Sequence, residues 1–343
     1  MTSDRYAKYN KHRVLSKPLN LDNQIWCDGK ERIGANMSAA TPLIDYIRFW
    51  LENVKKLQVK PATFDRLQTS VFALEAYHIA QIPMGAITPE DCEDYVKQVT
   101  SRGYALTTIK KQMLIVSAPI SYAYEHKKIP FNPAACMKPP SKSNVQKAKK
   151  KIIAYDKQEQ AKLYRVTETR KREAYAAIEI MIETGIRPGE ALALNWDDID
   201  LDARKMFIHA TVVNLANRKQ SYVQEGAKSE TSNRPVPLSP RAIALLRDLA
   251  KTRQHDYVFA NSDGTRLSYE SLRYQCQKAC EEAGIAYHGL HVFRHTFATN
   301  QYYKGTNVKI LSKILGHSET SVTYNIYIHL YGDGFDEMLN AVS

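Results

Sequence analysis

From residue 41 onward the chain carries a clear alternation of apolar and polar positions, and its period is that of helices. In "TPLIDYIRFWLENVKK" (41–56), Leu43, Ile47, Trp50, Leu51 and Val54 fall on one helical face. Thr41 followed by Pro42 predicts an N-cap with proline at the first helical position. "PATFDRLQTSVFALEAYHIA" predicts a second helix opening at Pro61, and "TPEDCEDYVKQVTSRG" a third, capped by Thr88 and stopped at Gly103. "LTTIKKQMLIVSAPISYAYEHKKI" predicts a fourth that ends before Pro130 and is kinked at Pro119. Four helices in so short a stretch predict a compact helical domain over 38–138. Residues 1–37 show no sustained period and read as an N-terminal extension or partial module.

The pattern lapses in "NPAACMKPPSKSNVQKAKKKIIAY", where a Pro-Pro pair and six lysines between 138 and 151 stand without an acid. Prolines and unpaired charge disfavour packing, so 139–151 reads as a basic linker. Its charge suits either a solvated hinge or a segment lying along phosphates. Helical periodicity resumes in "DKQEQAKLYRVTET" and "REAYAAIEIMIETG", the latter stopped by Gly185. "KMFIHATVV" is rich in β-branched residues and predicts a strand, and "SYVQEGAKSETSNRPVPL" predicts two more around a turn. Helices then fit 239–252, 268–283, 291–304, 307–315 and 320–330. The fold class is therefore mainly α with a small antiparallel β-sheet, in two domains, the second spanning 152–343.

Composition narrows the setting. Hydrophobic residues make up 44% and charged residues 24%, as in a soluble globular protein. No run of about eighteen apolar residues is present to span a membrane. "MTSDRYAKYNKHRVLSKPLN" has no apolar core, so no secretory signal is expected. Five scattered cysteines argue for a reducing cytosol rather than a disulfide framework. Cys276 and Cys280 lie one helical turn apart, but no second ligand pair stands at zinc-site spacing beside them. Forty-eight Lys and Arg against thirty-six Asp and Glu give +12, an excess that draws polyanions such as a nucleic-acid backbone. The plainer alternative is a basic cytosolic enzyme.

The chemistry-bearing positions sit at element boundaries. No GxxxxGK[ST], GxGxxG or HExxH occurs, so nothing points to a nucleotide cofactor or a metalloprotease. His288, His291 and His295 lie close together in "HGLHVFRHTFAT", but no glutamate stands among them as a base, and Gly289 precedes the helix start. "TGIRPGEALAL" puts Arg187 between a glycine stop and Pro188, where a guanidinium joins free backbone donors. "HVFRHTFAT" puts His291 and Arg294 on one side of a helical turn, and "LGHSETS" puts His317 in a glycine-containing turn. Singly, each of these is most often structural. Together they offer several donors to one oxyanion and no metal. Farther on, "HSETSVTYNIYIHLYG" carries Tyr324, Tyr327 and Tyr331 at spacings of one helical face, which packing alone accounts for.

"TGIRPGEALALNWDDID", "LHVFRHTFAT" and "LGHSETSVTYNIYIH", in this order and separation, resemble the signature boxes of the tyrosine recombinase (phage integrase) family. "AKSETSNRPVPL" resembles the family's β-hairpin, in which a lysine precedes an Arg-x-Val-Pro-Leu strand. The helical 41–130 region is similar, through weaker motifs, to the core-binding domain of integrases, especially those of conjugative transposons. The resemblance implies a two-domain DNA clamp, with a core-binding domain at 38–138 and a catalytic domain with its C-terminal tail at 152–343.

Carried over position by position, the resemblance implies that Arg187 and Arg294 clamp the scissile phosphate, in line with the fit of bidentate forks to phosphate. It implies Lys228 as the acid for the departing 5′ oxygen, His291 as a hydrogen-bonding or proton-transfer group, and His317 as a phosphate donor. Glu190 resembles the family's acid after the first arginine, in an orienting part. Tyr327 is the implied nucleophile: it alone lies ten residues past His317 and two before His329. The product would be a 3′-phosphotyrosine, later resolved through a Holliday junction. One phosphoester replaces another, so neither ATP nor metal is required. The implied partners are double-stranded DNA recombination sites and three further protomers in a synaptic homotetramer. Accessory DNA-bending or excisionase proteins are a further class of partner, and a membrane is not one. The implied location is the cytoplasm, at the nucleoid of a prokaryotic host. Three rivals stand beside this reading. They are a type IB topoisomerase-like strand transferase, a catalytically silent DNA-binding regulator, and a metalloenzyme using the 288–295 histidines.

Overall fold

A computed structural model describes residues 37–141, 153–170, 173–215, 221–226, 233–261 and 263–317. The first periodic stretch forms α1 (Leu43–Trp50), which widens into a π-helical turn over Leu51–Lys55, closed by Lys56 N–H donating to Leu51 O at 2.8 Å. Leu43, Ile47, Trp50 and Leu51 are buried, as the spacing predicts, and Val54 packs at the edge. The cap differs from expectation. Pro42, not Thr41, holds the cap position, and no side chain caps the helix. The first helical N–H is satisfied from outside, by Ile82 O at 2.9 Å, so a hydroxyl acceptor is redundant there.

Three more helices complete this unit: α2 (Pro61–Leu74), α3 (Pro89–Ser101) and α4 (Leu106–Glu125). Thr88 and Asp91 form a reciprocal capping box on α3. The expected kink at Pro119 does not end α4, which continues through it to Glu125 with the ring buried in the core. One missing N–H removes one rung, and burial of the flanking turns holds the rest. The core draws on all four helices, among them Ile47, Leu74, Val99, Ile109, Val116 and Ile120.

A separate core is built around α6 (Glu173–Thr184), which is flanked by α5 (Lys157–Arg170). Every described side chain from Ala174 to Met181 on α6 is buried, so this is a central helix rather than a surface one. Around it come α7 (Pro188–Ala193), α8 (Pro240–Lys251), α9 (Tyr269–Glu282), α10 (His291–Tyr303) and α11 (Val308–Leu315). Cys276 and Cys280 are buried in this core, Cys280 against the Tyr155 hydroxyl. The expected helix over 320–330 lies outside the described residues.

The β-structure departs from one small sheet. "KMFIHATVV" is two strands, β2 (Lys205–Ile208) and β3 (Ala210–Asn214), broken at His209. β2 lies between β1 (Ile199–Asp200) and β5 (Arg234–Pro237), whereas β3 pairs with β4 (Ser221–Glu225) as an antiparallel ribbon. His209 marks the change of partner: its carbonyl accepts from Gly226 N–H and its ring meets Asp198 at 2.8 Å. The hydrogen bond to Asp198 raises the imidazole pKa above 6.5, against the opposing effect of burial. A histidine shifted this way adds stability that is complete below its unfolded pKa and lost as pH rises through the folded one. The melting temperature should therefore decline as pH is raised through 6.5 and beyond, and less steeply in His209→Gln. Parallel slopes for the two proteins would remove the pair from the stability account.

Candidate active site

Four chain segments meet at the end of α6. Gly185 ends that helix at φ +69°, and a Cβ there would overlap the Phe297 ring and Leu315. Both constraints select glycine. Its carbonyl accepts from Arg294 Nη1 at 2.8 Å. Two residues on, Arg187 is extended and Pro188 opens α7. The Arg187 N–H donates to Glu190 Oε2 at 2.7 Å, and its Nη1 donates to Glu190 Oε1 at 2.8 Å. Glu190 thus caps the helix through its own third position and grips the arginine before it.

The second anchor is the C-terminus of α11. Gly316 adopts φ 64° and ψ 46°, with Gly316 N–H on Lys313 O and His317 N–H on Ser312 O, a Schellman stop. Three successive carbonyls of this stop each receive a different arginine. Ile314 O accepts from Arg234 Nε at 2.6 Å, Leu315 O from Arg294 Nη2 at 2.7 Å, and Gly316 O from Arg187 Nη2 at 2.8 Å. The negative end of the helix dipole and its orphan carbonyls gather three cations that would otherwise repel.

Burial ranks the three. The Arg187 side chain is 34% exposed, whereas Arg234 and Glu190 are 5% and 4% exposed. Arg294 is buried too, and burial, with the charges of Arg187 and Arg234, lowers its pKa to about 9. It therefore remains a cation at neutral pH. Burial alone would raise the Glu190 pKa. Hydrogen bonds from Arg234, with the charges of Arg234 and Arg187, outweigh it and hold the carboxyl below its usual range.

The imidazoles respond in the opposite sense. His317 leaves the α11 stop beside all three arginines, and burial together with Arg294, Arg187 and Arg234 pushes its pKa down to about 3. His291, at the first turn of α10, is lowered by desolvation and by Arg294 and Arg187, although the residue remains exposed. Both rings are neutral at pH 7 and can each present one N–H. His295, on the other side of Arg294, is also lowered, and its Nδ1 is buried without a partner among the described residues. His288 stands apart from this group, its ring near Tyr155. Among the described residues, no three His, Cys, Asp or Glu side chains converge to hold a metal ion.

Of the residues singled out from the sequence, Arg187, Arg294, His291 and His317 fall together here, with Glu190 at their base. Lys228 and Tyr327 lie outside the described residues. Arg234 is the member that sequence reading passed over. Its signal was present in "NRPVPL", where an arginine shares the buried face of β5 with Val236. Chemically, the group is a donor set of fixed cations and neutral imidazoles, suited to an oxyanion with charge spread over several oxygens.

Comparison with known proteins points the same way. A model described as the phage integrase family matches residues 154–333, just over half of the chain. The XerC-like tyrosine recombinase of Caldanaerobacter subterraneus is 24% identical over 310 residues, covering 83% of this chain and 78% of that protein. Tyrosine recombinase XerC of Haemophilus ducreyi is 28% identical over 281 residues, covering 80% and 85%. Among solved structures, the Tn1549 transposon integrase in complex with a circular intermediate DNA superposes at a TM-score of 0.72. The identity is 19%, over 88% of this chain and 99% of that one. A lambda integrase tetramer bound to a Holliday junction gives a TM-score of 0.61 at 16% identity, over 84% and 77%. These structures share the mainly helical fold with small antiparallel sheets.

Proposed function

This chain belongs to the phage integrase family, and from that membership we propose that it is a site-specific DNA recombinase that cuts and rejoins DNA through a 3′-phosphotyrosine. The observation that carries the reading is the meeting of Arg187 and Arg294 on the carbonyl stop of α11, with His317 leaving that stop and His291 within reach of both arginine charges. A scissile phosphate docked against Arg187, the exposed member, receives both arginines on its non-bridging oxygens. The Tyr327 oxygen attacks phosphorus, the P–O5′ bond breaks, and a P–O(Tyr) bond takes its place. Lys228 gives its proton to the departing 5′ oxygen, the tyrosine passes its own proton to water as it attacks, and water recharges the lysine, so the protons balance. A tyrosine hydroxyl ionises near pH 10, so the surrounding positive charge assists that loss. His291 and His317 each supply a neutral N–H to the pentacoordinate phosphorane, whose added negative charge they meet without competing for a proton. Reverse attack by a partner strand's 5′-hydroxyl restores a phosphodiester, so bond energy is kept within the DNA.

In this reading, 38–138 is the core-binding domain, 152–343 the catalytic domain and 139–151 the basic linker along the backbone. Four protomers pair two sites and exchange strands in two rounds through a Holliday junction, with the segment after Tyr327 docking on a neighbour. The working location is the cytoplasm, where the DNA is. Duplexes carrying the ends of the chain's own element should yield recombinant strands in EDTA without added nucleotide, and relaxation of supercoils without strand exchange would favour the topoisomerase alternative. Binding should also be steeply salt-dependent. With about 6–10 phosphate contacts per protomer, affinity falls roughly 10³- to 10⁵-fold between about 50 and 200 mM salt. A filter-binding series with a flat slope would remove the clamp.

A further inference from the structure

We propose that Arg234 is a positioning residue for the phosphate clamp, holding Glu190 and the α11 stop so that Arg187 stays available to the DNA. The inference rests on the recombinase reading above. Arg234 opens β5, and its guanidinium is inserted between two parts of the site. Its Nη1 and Nη2 take Glu190 Oε1 and Oε2 at 3.1 and 2.9 Å, and its Nε takes Ile314 O at 2.6 Å. Gly316 lies against the guanidinium face, where a Cβ would come within 3.0 Å of Nη1, Cζ and Nε. One side chain therefore sets both the rotamer of Glu190 and the place of the carbonyls that Arg294 and Arg187 use.

The consequence for Arg187 follows from charge. Glu190 offers one negative charge to two arginines, and the buried partner, Arg234, holds it with a two-pronged grip. Arg187 gives Nη1 to the same carboxylate and Nη2 to Gly316 O, and its side chain stays 34% exposed, so its remaining N–H groups face the open side. Without Arg234, the buried carboxylate would have Arg187 as the cation still hydrogen-bonded to it. It would draw that fork into a full bidentate pair and away from a phosphate. The α11 stop would also lose the contact at Ile314, one residue before the carbonyl that Arg294 holds. Lysine cannot replace this arrangement, because a point ammonium does not span two carboxylate oxygens and a carbonyl in one plane.

The test is single-turnover cleavage of a nicked suicide duplex by four full-length proteins: wild type, Arg187→Ala, Arg234→Lys and the double variant. Melting temperature and DNA affinity are measured alongside. Arg234→Lys is expected to slow cleavage by roughly 10- to 100-fold, as displacement of a clamp by about an ångström does, with DNA affinity close to wild type. In the Arg187→Ala background the same change should cost less than about twofold, because the residue through which it acts is gone. Wild-type cleavage by Arg234→Lys, or an equal penalty in both backgrounds, overturns the proposal. Should Arg234→Lys fail to melt cooperatively, Arg234→Gln, which keeps a planar donor but leaves the carboxylate to Arg187, takes its place in both backgrounds. The same losses are then expected, and the same two outcomes overturn the proposal. The control arms separate the two claims. A wild type that forms no adduct sinks the recombinase reading itself. A wild-type adduct lost in Arg187→Ala upholds that reading whatever Arg234 does.

Discussion

Tyr327→Phe is expected to bind its DNA site as the wild type does and to leave no covalent adduct on a nicked substrate. The change removes one oxygen and keeps the ring, so any packing the side chain makes is largely retained. On the proposed reading, binding would rest on phosphate contacts spread over both domains and should hold within a few-fold. Chemistry would then rest on that single oxygen, and the loss should reach the detection limit of a denaturing gel. Tyr324→Phe and Tyr331→Phe share the helical spacing but not the offset from His317 and His329, and should leave the adduct in place. Loss of the adduct in Tyr324→Phe with retention in Tyr327→Phe would reassign the nucleophile.

Arg187→Ala is expected to have the next largest effect, cutting the rate of strand cleavage by roughly 10²- to 10³-fold, the usual loss when one preorganised oxyanion donor is removed. Affinity for DNA should change by less than about tenfold, since one contact among many is lost from the ground state. Arg187 is the right member to remove because it is the exposed one. Arg294→Ala would also orphan the carbonyls of Gly185 and Leu315 in a buried setting, mixing a folding defect with a catalytic one. Quenched-flow cleavage beside a gel-shift titration separates the two quantities for Arg187→Ala. Equal losses in rate and affinity would make the arginine a binding or structural residue rather than a transition-state one.

Much of this was readable in the chain itself, for physical reasons. The helices follow from apolar spacing, and α6 runs to Gly185 and α11 to Gly316 because left-handed glycines are the ordinary way a helix ends. Arg187 and His317 stand just past those ends in the sequence, and His291 and Arg294 in the opening turns of α10. What periodicity could not give were contacts made across distance. The strand break at His209 depends on Asp198 and on a carbonyl that Gly226 uses, neither of which alters the β-branched pattern. The redundancy of Thr41 as a cap depends on Ile82, about forty residues away. Arg234 resembled any basic residue on a short strand until Glu190 and Ile314 were found on either side of its guanidinium. Lys228 and Tyr327 remain assignments from the sequence resemblance, with the clamp they would serve described beside them.

The central claim is that the phosphate held by this clamp becomes bonded to Tyr327. The direct measurement uses a suicide duplex labelled so that the phosphate stays with the protein, followed by proteolysis and sequencing of the labelled peptide. The account predicts label on the peptide spanning "TYNIYIHLYG", with fragmentation assigning the nucleotide to Tyr327. Label on Tyr324 or Tyr331, on a serine, or on no peptide at all would contradict it.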